Sequence, residues 1–559
     1  MKLKKMMYAG LVTVAALTLV ACGSGDKEST DGSKESGASS ELAKEQVFNT
    51  IVDQEMSSAD LALNTDVVGA LVLNNVYEGL YRLDENSEPQ PAGATEMAEV
   101  SEDGLTYKLK LREDAKWSNG DPVTAKDYVY GWQRVVDPET QSEYSYLHGA
   151  VKNAEAITAG DKDKSELGIK AVGDYELEIT LEKPTPYFDR LLTFTTYFPQ
   201  HQATVEKYGK EFATTSEKAV YNGPFILTEF DGPGTDQDWT YVKNDQYWDK
   251  DTVKLDKITA KVVKESSTAL NLYEDGQADD VRLTGELAQQ MADDPELVIE
   301  KQAGVYYFEM NQRDKDSIFH NEDLRKAISY ALDRESLVTK ILGDGSVAAT
   351  GLVPAEMTKD PDGGKDFAEE SGEHLEFNKE KALEHWEKAK KELGKDKIEI
   401  EILSSDSDFS KKNVEFAQGS LEETLPGLKV SVAPVPLSVR IDRSNKGDFD
   451  IVLGGWSADY ADPSSFLDLF VTGNSYNRGQ FSNKEYDAKL EEAATTNAAK
   501  PAERFQNMVE AEKLIMGDMG VVPIYQNAEA HMRRSTIKDV AIHGAGAHYD
   551  YKWAYVAAE

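Results

Sequence analysis

Only one cysteine, Cys22, occurs in 559 residues. A chain of this length with no internal disulfide, and without the thiols of a cysteine zinc site, must hold itself together by burying a sizeable core. At about 100–200 residues per domain there is material for several. The position of Cys22 is as informative as its solitude. It follows Leu19-Val20-Ala21, the end of a segment that opens basic (Lys2, Lys4, Lys5) and runs apolar from Ala9 to Val20. That is the layout of a secretory signal with small residues at its cleavage point. The run is shorter than the ~20 residues a spanning helix needs, and no later stretch is apolar enough to be one.

A thiol abutting the cleavage point resembles a bacterial lipobox, in which the cysteine becomes the lipidated (palmitate-bearing) first residue. The expectation is a signal peptide over 1–21, with Cys22 holding the chain at the outer face of the cell membrane. Residues 23–45, rich in Gly, Ser and charge and without an aromatic, read as a flexible tether. Folded sequence is expected to begin near Gln46.

The net charge is -40 and becomes more negative once the three N-terminal lysines are gone. Nucleic acid and anionic lipid reward basic surfaces, so neither is an expected partner of the body of the chain. Alternation predicts half-buried strands over 107–111, 175–181 and 397–403. An apolar strand is predicted over 449–453. Helical spacing is read over 321–342, closed by Gly343, and over 378–393. The mixture is neither all-α nor a clean βαβ repeat, so the fold class is α/β with mixed sheets and more than one domain.

Catalytic signatures are missing: no G-x-S-x-G, no P-loop and no H-E-x-x-H. Eight histidines are scattered. His543 and His548 share a Gly-rich run that reads as a loop with two solvated imidazoles, so no metal and no cofactor is assigned. An enzyme is not expected, and a secreted hydrolase is the remote alternative.

Two segments carry more detail. In the first, Ser118-Asn119-Gly120-Asp121-Pro122 reads as a turn, with Thr124 as N-cap of a helix bearing Tyr128, Val129 and Trp132. The second is Gly454-Gly455-Trp456-Ser457-Ala458-Asp459-Tyr460-Ala461-Asp462-Pro463. Its paired glycines allow close backbone approach, and Asp462-Pro463 opens a helix. Trp456, Asp459 and Tyr460 are then expected on a loop following the strand that ends at Leu453. An acid beside a tryptophan suits an ammonium group within an apolar wall.

Together with 221–225, 321–337 and Val522-Pro523-Ile524-Tyr525, these segments resemble the oligopeptide-binding proteins of ABC importers, the large extracytoplasmic solute-binding family 5. The resemblance covers essentially everything after residue 46. It implies a two-lobed clamp of the periplasmic-binding-protein type (class II) with three domains. Domain I would comprise 46–77, 204–303 and 522–559, domain II 78–203, and domain III 304–521. It implies a monomer that encloses an extended oligopeptide and hands it to the transmembrane subunits of a permease. A dedicated receptor for a signalling peptide is the alternative. By motif match Asp459 would bind the peptide's α-ammonium and Trp456 would wall a side-chain pocket. Gly455 and Ser457 would offer backbone groups, and Tyr144 would lie near the first ligand residues. The chain departs from enterobacterial members at Leu453, where they carry an arginine that helps recognise peptide C-termini. An anchor is most needed where no outer membrane retains the protein, which points to a Gram-positive source.

Overall fold

The structure, a computed structural model, describes residues 41–558. The signal segment, Cys22 and the tether up to residue 40 lie outside the described residues. Leu42 bridges Ala557, and the Ala43 N–H donates to the Val556 carbonyl at 2.9 Å. The chain is therefore paired from Leu42, ahead of the expected start near Gln46.

The fold is α/β, built on one eleven-stranded mixed sheet. In chain order its strands are β1 (Val47–Val52), β2 (Phe225–Thr228), β3 (Asp238–Lys243), β4 (Lys257–Val262), β5 (Asp280–Leu283) and β6 (Leu297–Met310). They continue with β7 (Val347–Ala348), β8 (Ile398–Ser405), β9 (Leu428–Val435), β10 (Ile451–Ser457) and β11 (Val522–Arg533). Their order across the sheet is β9-β8-β10-β6-β11-β5-β1-β4-β3-β2, with β7 beside β11. The two long strands in the middle, β6 and β11, belong to both halves. The first turns of β6 pair with the last of β11 beside β5, and the remainder of β6 pairs with β10. Between Lys301 and Val305 the β6–β11 register shifts, and it shifts again between Tyr306 and Tyr307. The halves are thus joined by one antiparallel ribbon with an irregular middle.

A separate antiparallel sheet takes Glu99–Val100, Thr106–Lys110, Glu176–Thr180 and Ile169–Gly173 in that order. Leu109, Leu177 and Ile179 point inward and their neighbours outward, as the alternation predicts. The helix Ala125–Val136 packs against this sheet and begins where Thr124 was expected to cap it. The Asp127 carboxylate reaches back to the Thr124 N–H at 2.7 Å. Gly120 takes φ +93° in the preceding turn, a left-handed conformation that suits glycine.

Three expectations are corrected. The helix read over 321–342 is broken: Glu322–Tyr330 stops, Asp333 caps a short turn at Arg334–Ser336, and a π-helical turn Leu337–Leu342 follows before Gly343. Strand β10 does not end at Leu453 but runs on through both glycines and Trp456 to Ser457. What comes close to those glycines is not backbone. A Cβ on Gly454 would meet the Tyr307 ring at 3.0 Å, and one on Gly455 the Tyr306 ring at 2.8 Å. The cross-strand tyrosines of β6 lie over the glycines and restore the packing that the missing side chains forgo. Finally, His543 is not solvated. It is buried, with Nδ1 3.0 Å from Ser87 Oγ and its N–H donating to the His548 carbonyl at 2.8 Å.

Candidate functional site

Strand β10 is sandwiched only at its beginning. Its edge away from β6 pairs with β8 at Ile451 and Val452, and there the pairing ends. From Leu453 to Ser457 that edge has no strand beside it among the described residues. Leu453, Gly455 and Ser457 all face a cavity enclosing about 1570 Å³ of empty space, part of it open to solvent. Gly455 is the exposed residue in an otherwise buried run. Tyr306 covers its Cβ side, but the main-chain edge of β10 is left open for another backbone to pair with.

Past Ser457 the chain is fixed by main-chain hydrogen bonds. The Ala458 N–H donates to Ala303 at the irregular part of β6 (2.8 Å), and the Gly546 N–H donates to the Ala458 carbonyl (2.7 Å). The Asp459 N–H donates to Ser465 Oγ at 2.9 Å. The Asp459 side chain is left facing the cavity, 7% exposed. Its Oδ1 accepts from the Tyr144 hydroxyl at 3.2 Å, whereas Oδ2 is buried without a partner. Burial drives the carboxyl well above its ordinary pKa, and the Tyr144 hydrogen bond offsets this only in part. An isolated buried carboxylate is costly until a cation meets it.

All five expected site residues line this one cavity: Tyr144, Gly455, Trp456, Ser457 and Asp459. The Trp456 ring stands 4.6 Å from that of Tyr476 at 70°, and Tyr144 is 5.2 Å from Tyr476. Trp456 Nε1 is buried without a hydrogen-bond partner. Tyr144 arrives from a distant part of the chain on the 3₁₀ helix Glu143–Ala150. Its neighbour Glu143 clamps it there, accepting from Asn445 Nδ2 at 2.6 Å and Arg478 Nη2 at 3.2 Å. Asp66 also lines the cavity, but its carboxylate is engaged in capping the helix Val67–Val76 through the Gly69 N–H.

Sequence reasoning missed the opposite wall. Arg282 Nη1 lies 2.9 Å from Glu529 and 3.4 Å from Asp53. Glu529 is 3.1 Å from His531 Nε2, and His531 Nδ1 is 2.6 Å from Asp280. Asp280 also pairs with Arg533, which reaches Glu300 at 2.7 Å. Burial alone would lower the His531 pKa, but the Asp280 and Glu529 carboxylates push it up to about 10. Burial likewise opposes ionisation of Asp280, yet the His531 and Arg533 charges hold it below its usual range. These residues are spread over three strands far apart in sequence, and no local spacing signals them. Among the described residues no group of three or more His, Cys, Asp or Glu is arranged to hold a metal ion. No described helix is long and apolar enough to cross a membrane.

Comparisons with known proteins place the chain in a family. The model of the bacterial extracellular solute-binding proteins, family 5, matches residues 88–478. The chain is 38% identical to a dipeptide-binding protein of Lactococcus lactis subsp. cremoris, over 99% of this chain and 100% of that one. Among solved structures, Listeria monocytogenes OppA bound to peptide superposes with a TM-score of 0.88 at 43% identity, covering 92% of this chain and 99% of its own. The pheromone receptor PrgZ does so with a TM-score of 0.89 at 46% identity, covering 92% and 100%. With a family model spanning most of its length and full-length relatives at this level of identity, the chain belongs to the bacterial extracellular solute-binding proteins of family 5.

Proposed function

We propose that this protein is a receptor that encloses oligopeptides between two lobes and delivers them to the transmembrane subunits of an ABC permease. In this reading it works as a monomer on the outer face of the membrane, held by a lipid on Cys22. Domain I (46–77, 204–303, 522–559) and domain II (78–203) form one lobe, and domain III (304–521) the other. The observation that carries the reading is the open edge of β10 ending at an unpartnered carboxylate. A peptide lying along Leu453–Ser457 extends the sheet by one strand, a mode of recognition that is indifferent to side-chain identity. Gly455 and Ser457 supply the backbone groups, Asp459 takes the α-ammonium, Trp456 walls a side-chain pocket, and Tyr144 closes over the first residues. Water in the remaining space adapts to different side chains. No covalent chemistry is required. The names of the Lactococcus and Listeria proteins support a peptide ligand.

Calorimetric titration of the full chain in detergent with tri- to octapeptides tests this. Binding is expected, and acetylation of the peptide N-terminus is expected to weaken it by roughly thirtyfold or more, as loss of a buried charge partner does. Equal affinity for acetylated peptides removes the Asp459 role. Failure of every peptide to bind removes the reading, and peptide fragments after incubation replace it with a hydrolase. The similarity to PrgZ favours one second reading, a receptor dedicated to a single signalling peptide. Mass spectrometry of co-purified ligand separates the two, since a mixed population fits only the general receptor.

A further inference from the structure

The cavity holds a second charge that nothing in the protein neutralises. Arg440 lies in the helix Leu437–Lys446, one turn after Leu437, and both side chains face the cavity. Among the described residues no hydrogen bond or ion pair reaches its guanidinium, a group with five donors. The acid whose field acts on it is Asp66. That carboxylate is already occupied by the Gly69 N–H at 2.8 Å, the Ser57 N–H at 3.2 Å and Asn64 Nδ2 at 2.9 Å. The other charged neighbour is Arg478, of like sign and committed to Glu143. Burial, reinforced by Arg478, lowers the Arg440 pKa to about 10, which leaves it charged at neutral pH.

The remaining cations of the cavity wall differ from it. Arg282 is shared between Glu529 and Asp53, and His531 between Asp280 and Glu529. The position of Arg440 is also defined. The helix that carries it packs on β8, the strand beside the beginning of β10, and Tyr306, which lines the cavity together with Arg440, stands opposite Gly455 in register. Arg440 is therefore abreast of the beginning of the open edge of β10, and Asp459 stands past its end. A chain extended along that edge, at about 3.3 Å per residue, meets Asp459 with its first residue and Arg440 a few residues later.

Resting on the reading of this protein as a peptide receptor, we propose that Arg440 takes a carboxylate of the bound peptide, the counter-charge to the ammonium at Asp459. The pair selects peptides that carry an anion a few residues from a free N-terminus. With leucine at 453, that wall has no other unpaired cation among the described residues to do so. The anion is either the C-terminus of a short peptide or an acidic side chain of a longer one.

Calorimetry on the full chain in detergent decides this, with tri- to octaalanine as probes. Each is compared with its C-terminal amide and with versions carrying glutamate or glutamine at the third, fourth or fifth residue. The expected result is that amidation, or Glu to Gln exchange, weakens binding to the native chain about ten- to a hundredfold, the range of a lost charged hydrogen bond. In Arg440→Gln the same change is expected to cost nothing further, whereas Arg440→Lys retains part of the discrimination. Sensitivity to amidation identifies the C-terminus as the anion, and sensitivity to Glu to Gln exchange identifies a side chain. Equal affinity of the native chain for all forms overturns the proposal while leaving the receptor reading intact. So does discrimination that persists unchanged in Arg440→Gln. Failure of every alanine peptide to bind overturns both.

Discussion

On the wall formed by β5 and β11, every ionic group has a partner of opposite sign: Asp280 with His531 and Arg533, Glu300 with Arg533, Glu529 with Arg282 and His531. Across the same cavity, Asp459 has one oxygen without a partner and Arg440 has none at all. Asp459 is as buried as the paired wall and Arg440 is partly buried, so burial alone does not distinguish the two sides. Completeness does. A buried charge that is paired and hydrogen-bonded belongs to the scaffold, because its desolvation cost is offset within the fold. A buried charge left open costs the empty protein free energy that only a ligand can return. The first wall gives the second its rigidity, since β11 and β6, which carry the network, also carry β10.

The sharpest way to break this comparison is to unpair the paired wall. Asp280→Ala takes from both His531 and Arg533 the carboxylate they share, leaving the buried network one negative charge short, and is expected to cost about 3–5 kcal/mol of stability. Thermal unfolding followed by circular dichroism reads it, and an unaltered melting temperature would mean that the network is not scaffold. The opposite wall should respond with the opposite sign. Asp459→Asn removes an unmatched charge, so the peptide-free protein is expected to gain roughly 1–3 kcal/mol at pH 7. The sign follows from the raised pKa of Asp459 in the fold. Below about pH 4 the carboxyl is protonated folded and unfolded alike and costs nothing extra. As pH rises above that, the unfolded chain ionises first and stability is lost. The advantage of the variant should therefore shrink toward zero on acidification, and an advantage independent of pH would show that charge is not its cause. The smallest effect belongs to charges in neither wall. Lys379 and Glu423 pair at 2.7 Å on the surface, 49% and 72% exposed. Glu423→Gln is expected to shift stability by less than about 1 kcal/mol, and a larger shift would mean that exposure is a poor guide to worth in this molecule.

Much of the scaffold was legible in the chain. Alternation at 107–111 and 175–181 gave strands because one face of a small sheet is buried and the other wet. Thr124 and Asn378 marked helix starts because capping is a local matter settled within one turn. What was illegible depended on distant partners. Gly454 and Gly455 read as a loop, since nothing nearby in sequence reveals that Tyr306 and Tyr307 will lie over them. The spacing over 321–342 continued as if one helix, while Asp333 capped a new turn that the apolar period does not register. His543 looked solvated beside glycines and is buried against Ser87. The five residues singled out near Asp459 do meet in one cavity, but that Asp459 Oδ2 ends without a partner is a property of the packed molecule alone. Arg440 carried no signal, because its significance is that no side chain among the described residues bonds its guanidinium, a property of the packed molecule.

The irregular middle of the β6–β11 ribbon has a mechanical meaning. Between Lys301 and Val305 the two strands fall out of register; the pairing before this stretch is regular, and after it the register shifts once more, between Tyr306 and Tyr307. In the first of these stretches the Ala303 N–H is given to Gly544, outside the ladder. A ribbon that is stiff at both ends and slack at its centre behaves as a torsion bar with one compliant segment. Twist applied between the halves of the sheet falls most on Gln302–Gly304, where the ladder to β10 only begins, at Gly304 opposite Ser457. Those three residues border the cavity or lie beside Asp459's anchoring bond at Ala458, so the compliant point and the unmatched charge are mechanically in series.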